Sequence, residues 1–226
     1  MDKERKKDLV RRYGYFLSWI YRKKNGCQVR IKGSGENVVS IVGVFAAKTQ
    51  ITINGRGNEI HISPGFTRLK SCTLTINGNY NVIRIGKDCN LNKCNLYIED
   101  NQGLIEIGEH TTISGDTHLA VIEGCSITIG ANCLFSSNIS FRTGDSHSVL
   151  DLNTGKRINP SRNIQVGNHV WIGHSVIILK GCTIGNDSIV ATGAILTGKK
   201  YPDNVCLGGI GGKILKESVN WTHERI

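Results

Sequence analysis

A beat of six organises the second half of this chain. Val166, Ile172, Ile178, Ile184, Val190 and Leu196 recur every six residues, and Gly167, Gly173 and Gly185 follow three of them. The positions two residues earlier, Ile164, Val170, Val176, Cys182, Ser188 and Ala194, are small or β-branched. Side chains alternate along a strand, so both sets point inward if each hexapeptide is one short strand plus a corner of a narrow prism. Three such faces make a coil of 18 residues.

The first half repeats more loosely. VRIKGSGENVVSI (29–41), ITINGRGNEIHI (51–62), LTINGNYNVIRIG (74–86), LYIEDNQGLIEIG (96–108) and LAVIEGCSITIG (119–130) start 22, 23, 22 and 23 residues apart. Each unit is an alternating stretch, a Gly/Asn/Asp turn and a second alternating stretch, which predicts two strands around a corner. Stacking at about 4.8 Å per coil lets each unit satisfy the backbone of the next, and roughly seven coils give a rod of about 33 Å. The predicted fold is all-β, a left-handed parallel β-helix. The period near 22 is equally compatible with a right-handed helix, and the strict hexapeptide favours the left-handed one. An antiparallel sandwich would show irregular strand lengths and no fixed period.

The period fails between Arg142 and Asn163, leaving a polar excursion, RTGDSHSVLDLNTGKRINPSRN, of the kind that carries function in compact repeat proteins. Residues 1–24 predict a helix with Leu9, Tyr13, Phe16 and Ile20 on one stripe under a basic face. Such a helix caps the open end of a solenoid or, alternatively, makes peripheral contact with a membrane. The expected organisation is therefore a basic amphipathic helix over 1–28, a β-helix over 29–217 with its loop at 142–163, and a tail over 218–226.

Composition agrees with short elements and tight turns: 27 Gly, 3 Pro and only 6% aromatic residues. Of the net charge of +10, nine Lys/Arg against three Asp/Glu in residues 1–24 supply +6, and the remaining cations are scattered. That distribution argues against a nucleic-acid partner. Eight cysteines without a CxxC pair, and an apolar run at 13–21 too short to span a bilayer, predict reduced thiols and a cytoplasmic protein.

Among seven histidines, His147 lies in GDSHS on the polar loop, with Asp145 two residues before and Asp151 four after. A loop histidine oriented by a carboxylate can take a proton near neutral pH; the alternative is a solvated loop residue. Trp171, in NHVWIG, falls between the inward Val170 and Ile172 and must point outward, into a subunit interface or a binding groove. His118, in GDTHLAV, is placed either toward a ligand or in structural packing.

The hexapeptide coils, the segment 144–198 and the following GGIGGKILK resemble the hexapeptide-repeat acyltransferases, and within them the capsular and exopolysaccharide O-acetyltransferases. The specific part covers about 129–217, and the looser coils extend it to about 29. The resemblance implies a homotrimer with active sites between adjacent prisms, acetyl-CoA as donor, a sugar or polysaccharide hydroxyl as acceptor, and no metal. It implies His147 as general base and Trp171 beside the thioester. Gly173, Ser175, Thr192, Gly193 and Thr197 correspond to the wall that holds pantetheine, and Lys199, Lys200 and Lys213 to phosphate contacts. Asp145 and His118 are the candidate acceptor contacts. The family shows G-N-P-A-K near its end where this chain has Gly209-Ile210-Gly211-Gly212-Lys213, so the proline that stiffens the turn is missing while the lysine remains.

Other chemistries weigh against this one. An N-acetyltransferase acting on a nucleotide-linked amino sugar needs the same base. A γ-carbonic-anhydrase-like zinc enzyme would recruit His147, His169 and His174, but the last two occupy different hexapeptide positions and the downstream ATGAILTG wall would go unexplained. A purely displaying scaffold would carry repeated exposed threonines on a flat face.

Overall fold

A computed structural model of the chain describes residues 16–33 and 35–226. The repeats wind into a three-faced parallel β-helix. The first face holds eight strands, from Gln28–Lys32 to Ile195–Leu196; the second holds seven, from Val38–Ser40 to Thr183–Ile184; the third holds nine, from Phe45–Ala47 to Lys213–Glu217. Every pairing between coils is parallel except the last, where Lys213–Glu217 turns back antiparallel on Val205–Gly208 and ends the third face.

The register follows the sequence period residue for residue. Val29 stacks on Ile51, Ile51 on Leu74, Leu74 on Leu96 and Leu96 on Leu119. In the tighter half, Val166 stacks on Ile184, Ile172 on Val190 and Ile178 on Leu196. A slip of one residue would turn each apolar column outward, so the buried columns fix the register. The interior is a stack of Ile, Leu and Val, widened in one coil where Phe135 and Phe141 stack at 5.7 Å.

Corners are built from side chains that replace missing ladder bonds. Between the first and second faces, buried asparagines stack. Asn58 donates through Nδ2 to Gly78 O at 2.9 Å; Asn81 donates through Nδ2 to Asp100 O at 2.9 Å and accepts from Gly103 N at 2.7 Å. Gly78, at φ 142°, is required here, because a Cβ would sit 1.6 Å from the Asp100 carbonyl oxygen. The corners beside the third face use small hydroxyl or thiol side chains instead. Thr67, Cys89, Thr111, Cys133 and Ser188 are buried before it, and Thr49, Cys72, Cys94 and Thr117 after it. Cys89 Sγ donates to Gly108 O at 3.1 Å, much as Thr111 Oγ1 donates to Gly130 O at 3.1 Å. Cys182 is likewise fully buried, and all eight cysteines are free.

At the N-terminal end residues 16–24 are helical. The expected apolar stripe does not face the prism. Phe16 is 63% exposed and Ile20 39%, while Ser18 is buried and Arg22 donates to Ile41 O at 2.7 Å and Val44 O at 2.9 Å. The end of a β-helix presents orphan carbonyls as well as apolar side chains, and the guanidinium satisfies them. Leu9 and Tyr13 lie outside the described residues. No helix among the described residues is long and apolar enough to cross a membrane.

Candidate active site

The loop leaves the corner between the first and second faces after Ile139–Arg142 and rejoins the second face at Ile164–Val166. Its base is pinned by Arg162 N donating to Thr143 O at 2.8 Å. Ile158 N donates to Val149 O at 2.9 Å, and Asp151 closes the tip by accepting from Thr154 N at 2.7 Å and Asn153 N at 3.0 Å. Asn159 organises the catalytic-candidate arm. Its Nδ2 donates to His147 O at 2.8 Å and to Asp145 Oδ2 at 2.9 Å, and its Oδ1 accepts from Val149 N at 2.7 Å. From the wall below, Lys180 donates to Asp145 Oδ2 at 2.5 Å and to Asn159 O at 3.1 Å. The outer arm is held by Arg157 on Glu123 Oε1 at 2.7 Å.

His147 stands exposed on this frame. Neither nearby carboxylate orients its ring, contrary to the expectation from spacing. Asp151 is occupied by its own turn, and Asp145 by Lys180 and Asn159, which hold its carboxyl below the ordinary aspartate range, Lys180 contributing most. The ring of His147 has no hydrogen-bond partner among the described residues; what is held is its backbone carbonyl, by Asn159 Nδ2.

Trp171 points outward from the third face, 41% exposed, as alternation requires. Part of its cover comes from the C-terminal tail, which the sequence did not connect to it. Val219 N donates to Asn204 O at 3.0 Å, and the tail returns along the third face. Trp221 Nε1 then donates to His169 O at 2.8 Å, and its ring stacks on His169 at 4.3 Å and meets Trp171 at 6.1 Å. His169 Nδ1 lies 2.8 Å from Asp187 Oδ1, exactly one coil of 18 residues away, a spacing that could have revealed the pair.

The candidate donor residues divide between two corners. Gly173, Ser175, Thr192 and Gly193 share the corner between the third and first faces. There Gly193 N donates to His174 O at 2.8 Å, and Ser175 Oγ accepts from Asn138 Nδ2 at 2.8 Å. A Cβ at Gly173 would lie 2.8 Å from Thr192 N, so glycine permits the close stacking. Thr197 and Lys199 sit instead at the loop-bearing corner, lining a cavity of ≈ 380 Å³ with Arg142, Asp145, Arg162 and Lys180. Lys200 is exposed beside them, and Lys199 donates to Gly211 O at 3.0 Å. Lys213 is exposed on the last strand. His118 lies on the first face, half-buried, its pKa lowered by burial and then by Arg142. The two groups flank the first face, and no hydrogen bond or ring contact joins His147 to Trp171 within the described chain. His147, His169 and His174 do not converge either: His174 Nδ1 pairs with Ser137 Oγ at 2.9 Å and His169 with Asp187.

The family model "Bacterial transferase hexapeptide (six repeats)" matches residues 163–198. A polysialic acid O-acetyltransferase of Neisseria meningitidis is 34% identical over 149 residues, covering 56% of this chain and 68% of that protein. The chain belongs to the hexapeptide-repeat O-acetyltransferase family. A second polysialic acid O-acetyltransferase, from Escherichia coli, is 31% identical over 115 residues, which span 51% of this chain and 37% of that longer protein. The crystal structure of the polySia-specific acetyltransferase NeuO superposes with a TM-score of 0.78 at 26% identity, covering 88% of this O-acetyltransferase and 83% of NeuO. The hexapeptide match falls on the coils that carry Trp171, Gly173, Ser175, Thr192, Gly193 and Thr197.

Proposed function

We propose that this O-acetyltransferase moves an acetyl group from acetyl-CoA to a hydroxyl of an acidic surface polysaccharide or its precursor, with His147 as general base. The observation that carries the assignment is the frame under His147. A protruding loop in a regular coil is held by Asn159 and Lys180, which fix the backbone of the solvent-facing His147 and, two residues before it, Asp145 in the lining of a cationic cavity.

A sugar hydroxyl is a poor nucleophile until a base takes its proton. In this mechanism a ring nitrogen of His147 accepts the proton as the oxygen attacks the thioester carbonyl. Donors at Trp171 and the neighbouring backbone meet the charge that develops on the carbonyl oxygen. The C–S bond then breaks, the ester remains on the sugar, and the imidazolium returns its proton to the departing thiolate. Because His147 rises from the loop between the first and second faces while Trp171 lies on the third, the site is completed by a second copy, in a homotrimer of left-handed coils. Gly173, Ser175, Thr192 and Gly193 line the donor wall, and Lys199, Lys200 and Lys213 meet its phosphates. Asp145 and His118 remain acceptor-side groups.

An acidic acceptor is favoured by Arg142 and Arg162. Neither has a side-chain hydrogen bond or ion pair among the described residues, and the cavity's one carboxylate, Asp145, is already neutralised by Lys180. The relatives from Neisseria meningitidis and Escherichia coli are named for an acidic polymer, which agrees.

The test is thiol release from acetyl-CoA with a polyanionic polysaccharide, its carboxyl-reduced form, a neutral polysaccharide and an amino-sugar nucleotide, with products identified by NMR. Ester formation on the acidic polymer, reduced on its carboxyl-reduced form, is expected. Amide formation on the nucleotide sugar alone would move the protein to N-acetyl transfer. A monomeric mass in light scattering would remove the shared site.

A further inference from the structure

We propose that the N-terminal helix and the groove beside it form a docking surface for an anionic membrane, a property separate from acetyl transfer. The helix meets the prism along a polar line, Ser18 and Arg22, with Tyr21 packed edge-on to Phe45 at 5.5 Å. Its outward side presents Phe16, Trp19 at 49% exposure and Ile20, and Phe16 and Trp19 stack at 6.3 Å. Large apolar side chains gathered on one exposed helical turn mark a surface that something else covers.

The charges around this patch say what kind of surface. Lys23 Nζ stands 4.8 Å from the centre of the Trp19 ring. On the other flank a groove of ≈ 1160 Å³ runs between the helix and the third face, lined by Leu17, Tyr21 and Phe66 together with Lys24, Arg68 and Lys70. No carboxylate among the described residues lines it. Aromatic and aliphatic side chains flanked by lysines are the pattern of a helix lying in a lipid headgroup layer, where rings reach the acyl boundary and ammonium groups stay with phosphates. A second copy of this helix fits poorly, because pairing would set Lys23 and Lys24 of one helix against those of another, and no carboxylate stands in 16–24 to offset them. Each cation close to an anionic leaflet adds to the attraction, and together with the exposed rings the cluster suits reversible attachment.

The experiment is co-sedimentation of the full chain with vesicles of phosphatidylcholine containing phosphatidylglycerol, against phosphatidylcholine alone. Binding is expected on the anionic vesicles only, and it should weaken as added salt shortens the screening length. The double substitution Phe16→Ser/Trp19→Ser should reduce partitioning by about tenfold or more, since it removes apolar burial and leaves every cation in place. Lys23→Glu/Lys24→Glu should reduce it as well. Both variants are checked by circular dichroism and by turnover with a soluble acceptor, which should match wild type and which separates this outcome from the transfer reaction. Wild-type protein that stays in the supernatant with anionic vesicles overturns the proposal. So does a Phe16→Ser/Trp19→Ser protein that binds as wild type, or a larger oligomer in light scattering that this variant dissolves, which would assign the patch to a second copy.

Discussion

Replacing Asn159 with Ala should lower kcat by about 30-fold while leaving acetyl-CoA affinity and global stability nearly unchanged. The side chain makes two bonds that hold the His147 segment, to His147 O at 2.8 Å and Asp145 Oδ2 at 2.9 Å, and a third from Val149 N at 2.7 Å. Exposed bonds of this kind contribute about 1 kcal/mol each, so losing the two that position the base weakens its placement by about 2 kcal/mol. If that penalty appears in the transition state, each 1.36 kcal/mol being tenfold, kcat falls by roughly 30-fold. The loop stands outside the stacked coils, so the unfolding midpoint should move little. Thiol-release kinetics supply kcat and KM, and hydrogen exchange over 145–150 should report faster opening. Asn159→Asp is the sharper control: it can still accept from Val149 N, but it cannot donate to His147 O and it sets a carboxylate against Asp145. It should be at least as impaired as Ala. Turnover of Asn159→Ala within twofold of wild type would refute the frame, as would a loss of activity that merely tracks a loss of folded protein.

His147→Ala should reduce kcat by about 10²–10⁴-fold with donor affinity retained, measured by the same kinetics with binding followed by calorimetry. Asn81→Ala leaves Asp100 O and Gly103 N without partners inside a corner, and should cost about 2–4 kcal/mol in denaturant titration. Cys89 and Cys133, pushed up to about 11 mainly by burial, should resist iodoacetamide at pH 8 in the native protein, while the half-buried Cys27, Cys125 and Cys206 react first, as peptide mass mapping would show. His118 is held below the ordinary histidine value, so the unfolded chain protonates before the folded one as pH falls under about 6.5, and stability present above that value is lost. The drop in Tm between pH 7.5 and pH 5.5 should therefore be smaller in His118→Gln than in wild type.

The coil was legible because its cause is local. Alternation and a fixed period place Ile51 over Val29 and Ile184 over Val166 whatever the rest of the chain does. The loop was legible as an interruption of that period, and the outward direction of Trp171 as a consequence of alternation. The partners of the site were not. Lys180 reaches Asp145 across 35 residues and His174 reaches Ser137 across 37, separations set by the length of the inserted loop rather than by any repeat. The carboxylates nearest His147 in sequence turned out to serve a turn and a lysine. Trp221 reached His169 across 52 residues because the last strand reverses direction, which no periodicity encodes. The helix was placed by its apolar stripe, yet the open end of the coil called for a donor to Ile41 O and Val44 O, and Arg22 won.

The way the loop is inserted also bears on how such an enzyme could change its acceptor. Ile127 pairs with Ile164 across the excursion as regularly as Ile105 pairs with Ile127 before it, and Asn163 Oδ1 accepts from Ser126 N at 2.9 Å where the ladder resumes. Both ends emerge from one corner, so the strand ladders on either side keep their register whatever lies between, and only outer contacts such as Lys180 with Asp145 and Glu123 with Arg157 depend on the loop. Closure entropy grows only with the logarithm of length, and doubling the excursion would add about 0.6 kcal/mol. The segment between Thr143 and Arg162 is therefore an exchangeable cassette on an indifferent frame: a loop of different length and chemistry can be grafted there without renegotiating a single interior contact.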